Sequence, residues 1–346
     1  MKFFKQILFI LIVFFKTGNL LSDNNLFSVN NILLEKEDNI SNEELTNKAI
    51  KKAFNQLINK ILLKDDVPKI ANLKFSDIRE LVTYYNISQN SDEKGNKINF
   101  NVTFDKGKIH ELFYKKKILY SDITDKEFFI LPILLKENEI FIFSNNYFYK
   151  NWNKIITDEL LEFILPIENI EIIQNINKSR NNLFDLKLDL LFGEYSDKNI
   201  AIIFIEESLK YEENIYLKTR IQNKIFSKNF KLKKNDYEKK IFYQKIILEV
   251  KDEIINLVKS QNLIDISTPS FLNVRLNFEK NSNLVNLNSK ISNIDLIENI
   301  FVQEFNKDYV NLKIKYLGRL ERIINQLKKK DISLQLINDQ WFIKTM

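Results

Sequence analysis

The run AIIFI at residues 201–205 decides the fold of the middle of the chain, because it is apolar at every position. A strand that is buried on both faces of a sheet has this kind of continuous apolar sequence, so 201–205 is predicted to be a central strand. A second run, FFILPILL at 128–135, predicts another buried strand, which forms a hairpin with 140–143. Around these two strands the sequence predicts a short strand at 163–166, helices at 168–176, 183–192 and 236–260, and a hairpin of 215–221 with 225–232. Because alternating helices and buried strands are typical of an α/β layer, we place a middle α/β module at residues 121–265.

A third module is predicted at residues 266–346, after the linker STPS at 267–270. Apolar residues occupy alternate positions from Leu272 to Phe278, a period that indicates a half-buried strand. The strand is followed by a helix at 282–291, a hairpin of 300–305 with 310–316, a helix at 320–330, a strand at 332–336 and a closing strand through 341–343. The order β-α-β-β-α-β is ferredoxin-like.

The first module, residues 23–120, is predicted to be α+β. Ser41 and Glu44 form a capping box, which predicts that a helix begins there and runs to about Lys60. A strand is predicted before this helix at 26–34, and two strands, 82–88 and 98–104, follow it around a polar loop at 90–96. Asp105 is placed to cap a further helix at 106–117. The whole chain is therefore expected to consist of three small modules of α+β and α/β type.

The leading segment, MKFFKQILFILIVFFKTGNLLS at residues 1–22, has the pattern of a secretory signal peptide. Lys2 and Lys5 precede an apolar run at 7–15, which is about half the roughly 20 residues that a bilayer span needs. We place the cleavage site after Ser22, which predicts a periplasmic protein. The alternative is an uncleaved segment that tethers the protein to the inner membrane through residues 7–15.

Composition excludes several classes of function. The chain has no cysteine, so it has neither disulfides nor thiolate chemistry. Its formal net charge is +6, and removal of the three lysines of the leading segment leaves +3, which is weak for a nucleic-acid binder. The lysine runs at 115–117 and 328–330 lie near predicted helix ends, where solvent and the helix dipole favour cations.

No catalytic, cofactor or metal site is predicted. His110 is the only histidine, and no G-x-S-x-G motif provides a serine for it to activate, so we expect it on a helix surface. The adjacent acid pairs at 65–66 and 206–207 have diverging side chains, and no calcium-loop or glycine-rich phosphate motif occurs.

Tyr147, Tyr149 and Trp152 form an aromatic cluster in a predicted loop or helix start. Such a cluster can stack on a sugar or a base, or it can pack between secondary-structure elements. The sequence leaves both interpretations open, and packing is the one we favour.

Several packing motifs occur in the order and spacing of a known family. They are the helix pattern Ala49-x3-Ala53-Phe54-x2-Leu57, the strand end VTFD at 102–105 before a helix, and the run at 128–135 with its leucine–proline step. In these features the chain resembles the proteobacterial family called domain of unknown function 2066, and it departs from that family at TNK, 46–48. The resemblance implies an exported envelope protein and provides no catalytic residue. The middle module also resembles the N-terminal α/β domain of the periplasmic TolB protein, at the level of fold alone.

The sequence therefore predicts a non-enzymatic periplasmic protein that acts in envelope assembly or maintenance through contacts with an unidentified envelope protein. We expect no cofactor, no nucleic acid, and membrane contact only through an uncleaved leading segment. Two alternatives stay open: a small-ligand or glycan binder that uses the aromatic cluster, and a wall or lipid hydrolase.

Overall fold

The computed structural model describes residues 26–35, 40–89, 97–155, 160–195, 198–207, 212–234, 237–278, 284–292 and 294–345. The predicted signal peptide and the predicted loop at 90–96 lie outside these ranges. The chain divides into two compact units. The first unit combines the chain up to Tyr120 with the chain from Leu263 onward, and the second is Ser121–Asn262. Among the helices in these ranges, none has the length and hydropathy that spanning a bilayer requires.

The elements are numbered in chain order. The strands are β1 (Ser28–Glu35), β2 (Val82–Gln89), β3 (Lys97–Phe104), β4 (Tyr120–Ser121), β5 (Glu127–Lys136), β6 (Glu139–Phe141), β7 (Glu162–Ile164), β8 (Asn199–Glu207), β9 (Glu212–Ile221), β10 (Lys224–Lys233), β11 (Leu263–Ile264), β12 (Ser270–Asn277), β13 (Ile297–Phe305), β14 (Tyr309–Tyr316), β15 (Ile332–Ile337) and β16 (Gln340–Thr345). The α-helices are α1 (Asn42–Ile61), α2 (Phe75–Glu80), α3 (Lys106–Lys116), α4 (Tyr147–Asn151), α5 (Ile170–Lys178), α6 (Lys239–Gln261), α7 (Leu284–Ile291) and α8 (Leu320–Lys329).

The N-terminal part of the first unit is an antiparallel sheet in the order β1-β3-β2, against which α1 packs. The predicted cap of α1 is confirmed, because the Ser41 side chain accepts a hydrogen bond from the backbone nitrogen of Glu44 at 3.1 Å. Asp105 likewise caps α3 by accepting from the backbone nitrogen of Lys108 at 3.0 Å. Both caps satisfy backbone donors that a helix start leaves without intrahelical partners.

The C-terminal part of the first unit is a five-stranded sheet in the order β13-β14-β12-β16-β15. The predicted sequence of strands and helices along the chain is confirmed. The closing strand β16 pairs in parallel with β12 and antiparallel with β15, so it lies between them. Apolar residues of α7 and α8, including Leu287, Ile291 and Ile323, join residues of both sheets in a single hydrophobic core.

The second unit contains a mixed sheet in the order β10-β9-β8-β5-β6, and β7 also pairs with β5. The prediction for 201–205 is confirmed, because β8 is a central strand buried on both faces. Ala201, Ile203 and Ile205 pack in the core beneath α6, whereas Ile202 and Phe204 pack in a second core on the opposite face. The protein is thus a mixed α+β protein with several sheets.

The predicted helix at 183–192 is wrong. This segment forms two short 3-10 turns, Arg180–Asp185 and Leu188–Leu190, and the backbone between them is extended at Lys187, with φ −75° and ψ 129°. Lys218 of β9 donates hydrogen bonds from Nζ to the carbonyl oxygens of Phe184 and Leu186 at 3.1 and 3.2 Å. We attribute the difference to these contacts, because the Lys218 side chain supplies the partners that these carbonyl oxygens would otherwise need within a helix.

Candidate functional site

The predicted aromatic cluster divides between the two faces of the sheet in the second unit. Trp152 is fully buried in the core beneath α6, and Tyr147 packs at the edge of the same core with its ring 5.0 Å from that of Tyr243. Tyr149 packs against the opposite core, and its hydroxyl donates to the carbonyl oxygen of Pro166 at 2.7 Å. Burial raises the pKa of both tyrosine hydroxyls above their ordinary value. The three rings therefore do not share one surface that a ligand could cover.

Asn146 fixes this arrangement from the start of α4. Its side chain is fully buried, donates to the carbonyl oxygens of Pro132 and Phe141 at 2.8 and 3.2 Å, and accepts from the backbone nitrogen of Phe148 at 2.9 Å. One side chain thus caps the helix and ties it to β5 and β6.

A groove of about 410 Å³ is the candidate site, and it opens on the sheet face opposite α6. Its floor is apolar and consists of Leu135, Phe184, Phe204 and Tyr216. Its wall is polar and consists of Glu206, Asn214, Asn229 and Lys231. These side chains come from β5, β8, β9, β10 and the first of the two 3-10 turns.

The three aromatic rings of the floor contact one another. The ring centroid of Phe184 lies 5.5 Å from that of Phe204 and 4.8 Å from that of Tyr216, in both cases edge to face. Phe204 is buried, but 48% of Phe184 is exposed, so this ring offers apolar surface to a ligand in the groove. Edge-to-face packing holds such rings in a defined orientation.

Two basic residues of β9 hold Phe184 over the sheet. Lys218 binds the carbonyl oxygens of the Phe184 turn, and the guanidinium of Arg220 forms an ion pair with Asp189 and a hydrogen bond to the carbonyl oxygen of Tyr195. The segment that contributes Phe184 to the floor of the groove is therefore fixed to β9 by hydrogen bonds.

The polar wall carries one carboxylate, two amides and one ammonium group. The Asn214 amide donates to Glu206 Oε2 at 3.0 Å, and Lys231 pairs with Glu212 at 3.2 Å between Nζ and Oε1. Asn229 adds a second amide. A ligand in the groove would meet hydrogen-bond donors and acceptors on one side and rings on the other. Pockets that hold small ligands have this mixture, in volumes from about 300 to 1,000 Å³.

Sequence reasoning did not identify this groove. Phe184 lies in a predicted helix, and Phe204 lies in the strand that is predicted to be buried on both faces. One signal is present in the sequence of β9. Polar or aromatic residues at Asn214, Tyr216, Lys218 and Arg220 occupy every second position and so share one face of the strand. The partner segment that crosses this face could not be inferred from that alternation.

The acid pair at 206–207 separates onto opposite faces, as strand geometry requires. Glu206 reaches the groove, whereas Glu207 pairs with Lys239 of α6 on the other face. Burial acts to raise the pKa of Glu207, but hydrogen bonds from Lys239 and Tyr243 outweigh it and the net pKa is lowered. Burial and the neighbouring Glu207 raise the pKa of the Tyr243 hydroxyl.

Within the described ranges, no three His, Cys, Asp or Glu side chains are grouped to hold a metal ion.

The expectation that His110 lies on a helix surface is wrong. It is 9% exposed, with Nε2 3.2 Å from the Tyr120 hydroxyl and Nδ1 3.4 Å from Glu298 Oε1. The hydrogen bond with His110 lowers the pKa of Glu298 to about 2, against the effect of burial. The face of α3 that carries Ile109 and Phe113 is buried in the core of the first unit, and His110 is buried with it. Its carboxylate partner is remote in sequence, so local pattern could not reveal the contact.

The fold and the groove define the class of protein. It is a mixed α+β protein of two compact units, and the second unit has an open groove lined by aromatic rings. No family model matches the sequence, and no curated protein matches it. A solved structure described as "Crystal structure of uncharacterized protein" aligns with 40% of this chain and 94% of its own chain, at 7% identity and a TM-score of 0.17. A similarity this weak carries no argument about fold or function.

Proposed function

We propose that this chain is a non-enzymatic binding protein of the cell envelope, exported to the periplasm and active through contact with another envelope component. The pattern of the leading segment and the resemblance to exported envelope proteins support the location. The groove is the single observation that supports binding. It presents exposed apolar surface at Phe184 beside a polar wall, and that wall has only one carboxylate.

The number of carboxylates separates binding from hydrolysis. Glycoside hydrolysis of the common type uses two carboxyl groups on facing elements. β8 carries two adjacent acids. Glu206 lines the groove, whereas Glu207 pairs with Lys239 on the other face of the sheet. The groove therefore favours a binding function over a wall hydrolase.

Site-specific photocrosslinking in the native envelope tests the proposal. Phe184 is replaced by p-benzoylphenylalanine, and Tyr114 is replaced in a matched control, because it is also aromatic and 63% exposed but lies on α3. We expect the probe at position 184 to capture one defined envelope protein and the probe at 114 to capture none. Identical products at both positions, or none at 184, would contradict the proposal.

The location has its own test. Fractionation followed by N-terminal sequencing should find the protein in the periplasm with Asp23 as its first residue. A cytoplasmic protein that retains Met1 would contradict both export and cleavage. A membrane-bound protein that retains Met1 would instead support the tether through residues 7–15.

A glycan or small polar ligand is the second candidate occupant of the groove. Phe184 and Tyr216 supply ring surface while Glu206 and Asn214 supply an acceptor and an amide. A pyranose ring has the matching chemistry, with apolar C–H faces and hydroxyls at its edge. Titration calorimetry with envelope oligosaccharides should show binding that Phe184→Ala abolishes and Tyr114→Ala leaves unchanged. Equal heats for the two variants would remove this candidate.

At the level of individual modules, we propose that residues 266–346 form a ferredoxin-like unit and that 121–265 are related to the TolB N-terminal domain. The order of β12, α7, β13, β14, α8 and β15 supports the first of these. The position of β16 between β12 and β15 is an addition to the basic β-α-β-β-α-β unit.

A further inference from the structure

The five-stranded sheet of the first unit has one face in the core and one face in solvent. Leu272, Val274 and Leu312 point into the core with α7 and α8. The alternate residues of the same strands point outward. On this outward face β12 carries Phe271 and Arg275, β14 carries Lys313 and Lys315, β13 carries Phe301 and Glu304, and β16 carries Phe342 and Lys344.

Strand register interleaves the lysines with the phenylalanines. Lys315 lies directly opposite Phe271 on β12, and Lys313 lies directly opposite Phe301 on β13. Phe271 and Phe301 are 51% and 43% exposed, so each residue keeps about half of its surface in solvent. Aromatic side chains and arginine are enriched at the centres of protein interfaces, whereas lysine is depleted there. The exposed rings and Arg275 therefore match an interface centre, and the lysines add positive charge around them.

The charge on this face is mainly positive. It holds Arg275, Lys313, Lys315 and Lys344 against one acid, Glu304. That acid already accepts hydrogen bonds from the Tyr309 hydroxyl at 2.9 Å and the Asn311 amide at 2.6 Å. Glu304 is therefore held on the edge strand β13. The electrostatic potential over the middle of the face is positive because of Lys313 and Lys315 on β14.

The ring of Phe271 and the neighbouring ring of Tyr309 each have a cation of the protein over one face, and this favours one kind of partner over another. Lys313 Nζ lies 4.4 Å from the ring centroid of Phe271, and the Arg275 guanidinium lies 4.1 Å from that of Tyr309. A nucleic acid binds such a sheet by stacking bases on ring faces, and here two ring faces are occupied. Carboxylates can instead pair with the same cations from above, while apolar side chains contact the exposed ring edges.

We propose that the outward face of the five-stranded sheet binds an acidic polypeptide segment that also carries apolar side chains. Lys313 and Lys315 pair with its carboxylates, and Phe271 and Phe301 contact its apolar residues. The site goes beyond the groove, which lies in the second unit, and it shares with the proposed function only the premise that the chain works by binding. Loss of one site leaves the other intact, so their failures are distinguishable.

A random short-peptide display library selected on the full mature chain tests this proposal, followed by fluorescence anisotropy with the selected peptides. The test variant is Lys313→Glu with Lys315→Glu. The matched control is Lys328→Glu with Lys329→Glu, which makes the same charge change at the end of α8 in the same unit. In a Trp152→Phe background, Trp341 on β16 is the remaining tryptophan, and its fluorescence reports whether each variant keeps the native sheet. Phe271→Ala with Phe301→Ala provides a test that leaves the charge unchanged.

We expect selected peptides rich in Asp and Glu together with Phe or Leu. Their affinity should fall at least about tenfold in the Lys313 and Lys315 variant and less than about twofold in the control. For the parent, the affinity should also fall at raised salt, because salt screens the attraction between the lysines and the carboxylates. Removal of the two phenylalanines should also weaken binding. Selection of neutral or basic peptides, or an equal loss in the control, would overturn the proposal. Tighter binding of a single-stranded oligonucleotide, lost in the same variant, would overturn it in favour of nucleic acid.

Discussion

Replacing Glu298 with glutamine should destabilise the first unit at neutral pH and have little effect in acid. Glu298 Oε1 lies 3.4 Å from both His110 Nδ1 and Lys106 Nζ, and Lys106 also donates to the carbonyl oxygen of Ile297 at 3.2 Å. The contacts join α3, from the N-terminal part of the unit, to β13, from its C-terminal part. Glutamine keeps the size of the side chain and removes its charge.

The pKa of Glu298 sets the magnitude. Its fall from 4.5 to about 2 corresponds to roughly 3 kcal/mol of interaction that favours the ionised form in the folded protein. Because the folded pKa is the lower one, this stability is present above about pH 4.5 and is lost as the pH falls toward 2. The side chain is 26% exposed, so solvent screening makes this an upper value and we expect a loss of about 2 kcal/mol at pH 7.

Urea unfolding followed by tryptophan fluorescence measures this effect. In a Trp152→Phe background, Trp341 is the remaining tryptophan and reports on the first unit. The matched control is Glu111→Gln, also on α3, whose carboxylate is fully exposed and pairs with Lys115 at 2.6 Å. We expect no measurable change for this control, since exposed ion pairs contribute little.

Two results would refute the reasoning. The first is a Glu298→Gln variant as stable as the parent at pH 7. The second is a loss of the same size at pH 7 and near pH 2, which would trace the effect to packing and not to charge.

Three further predictions concern other buried or capping groups. Lys251→Met should stabilise the second unit by about 1–2 kcal/mol at pH 7. Burial lowers the pKa of Lys251 to about 8, which means that the buried charge destabilises the folded protein. The hydrogen bond from its Nζ to the carbonyl oxygen of Ile155, 2.7 Å long, offsets only part of that destabilisation. The same change should abolish the rise in stability that the parent shows between about pH 8 and 10.5, where the folded lysine is neutral and the unfolded one is charged; a variant less stable than the parent at pH 7 would contradict this. Asn146→Ala should cost about 2–3 kcal/mol in urea unfolding, because it leaves the buried carbonyl of Pro132, the partly buried carbonyl of Phe141 and the buried backbone donor of Phe148 without this partner. An unchanged midpoint would show that those groups find other partners. Asp105→Ala should cost about 1 kcal/mol through loss of the α3 cap, whereas Asp105→Asn should restore most of it.

Much of the secondary structure followed from local pattern. The 201–205 run predicted a doubly buried strand, and β8 places Ala201 and Ile202 in cores on opposite faces. Ser41 and Asp105 predicted two helix starts, and both side chains cap as expected. These predictions succeeded because the period of apolar residues and the chemistry of a cap act within a few neighbouring residues.

The two failures have one physical cause. The predicted helix at 183–192 has the apolar content of a helix, but Lys218 binds its carbonyl oxygens and holds it as 3-10 turns. His110 is polar and lies on a helix whose sequence predicts exposure at this position. It is nevertheless buried, because Glu298 and Tyr120 provide hydrogen-bond partners for its ring nitrogens in the core. In each case a contact from a distant strand outweighs the local preference.

The sequence by itself determined the α+β composition, the caps, the doubly buried strand and the alternation of the C-terminal strands. Only the tertiary structure decided that the N-terminal and C-terminal parts of the first unit share one core and that the turn carrying Phe184 packs beside β9 to form the groove. It also decided that Lys313 lies opposite Phe301 and that Lys315 lies opposite Phe271. The reason is that strand pairing and sheet order join residues far apart in the chain, whereas sequence pattern specifies which face a residue takes and not which strand lies beside it.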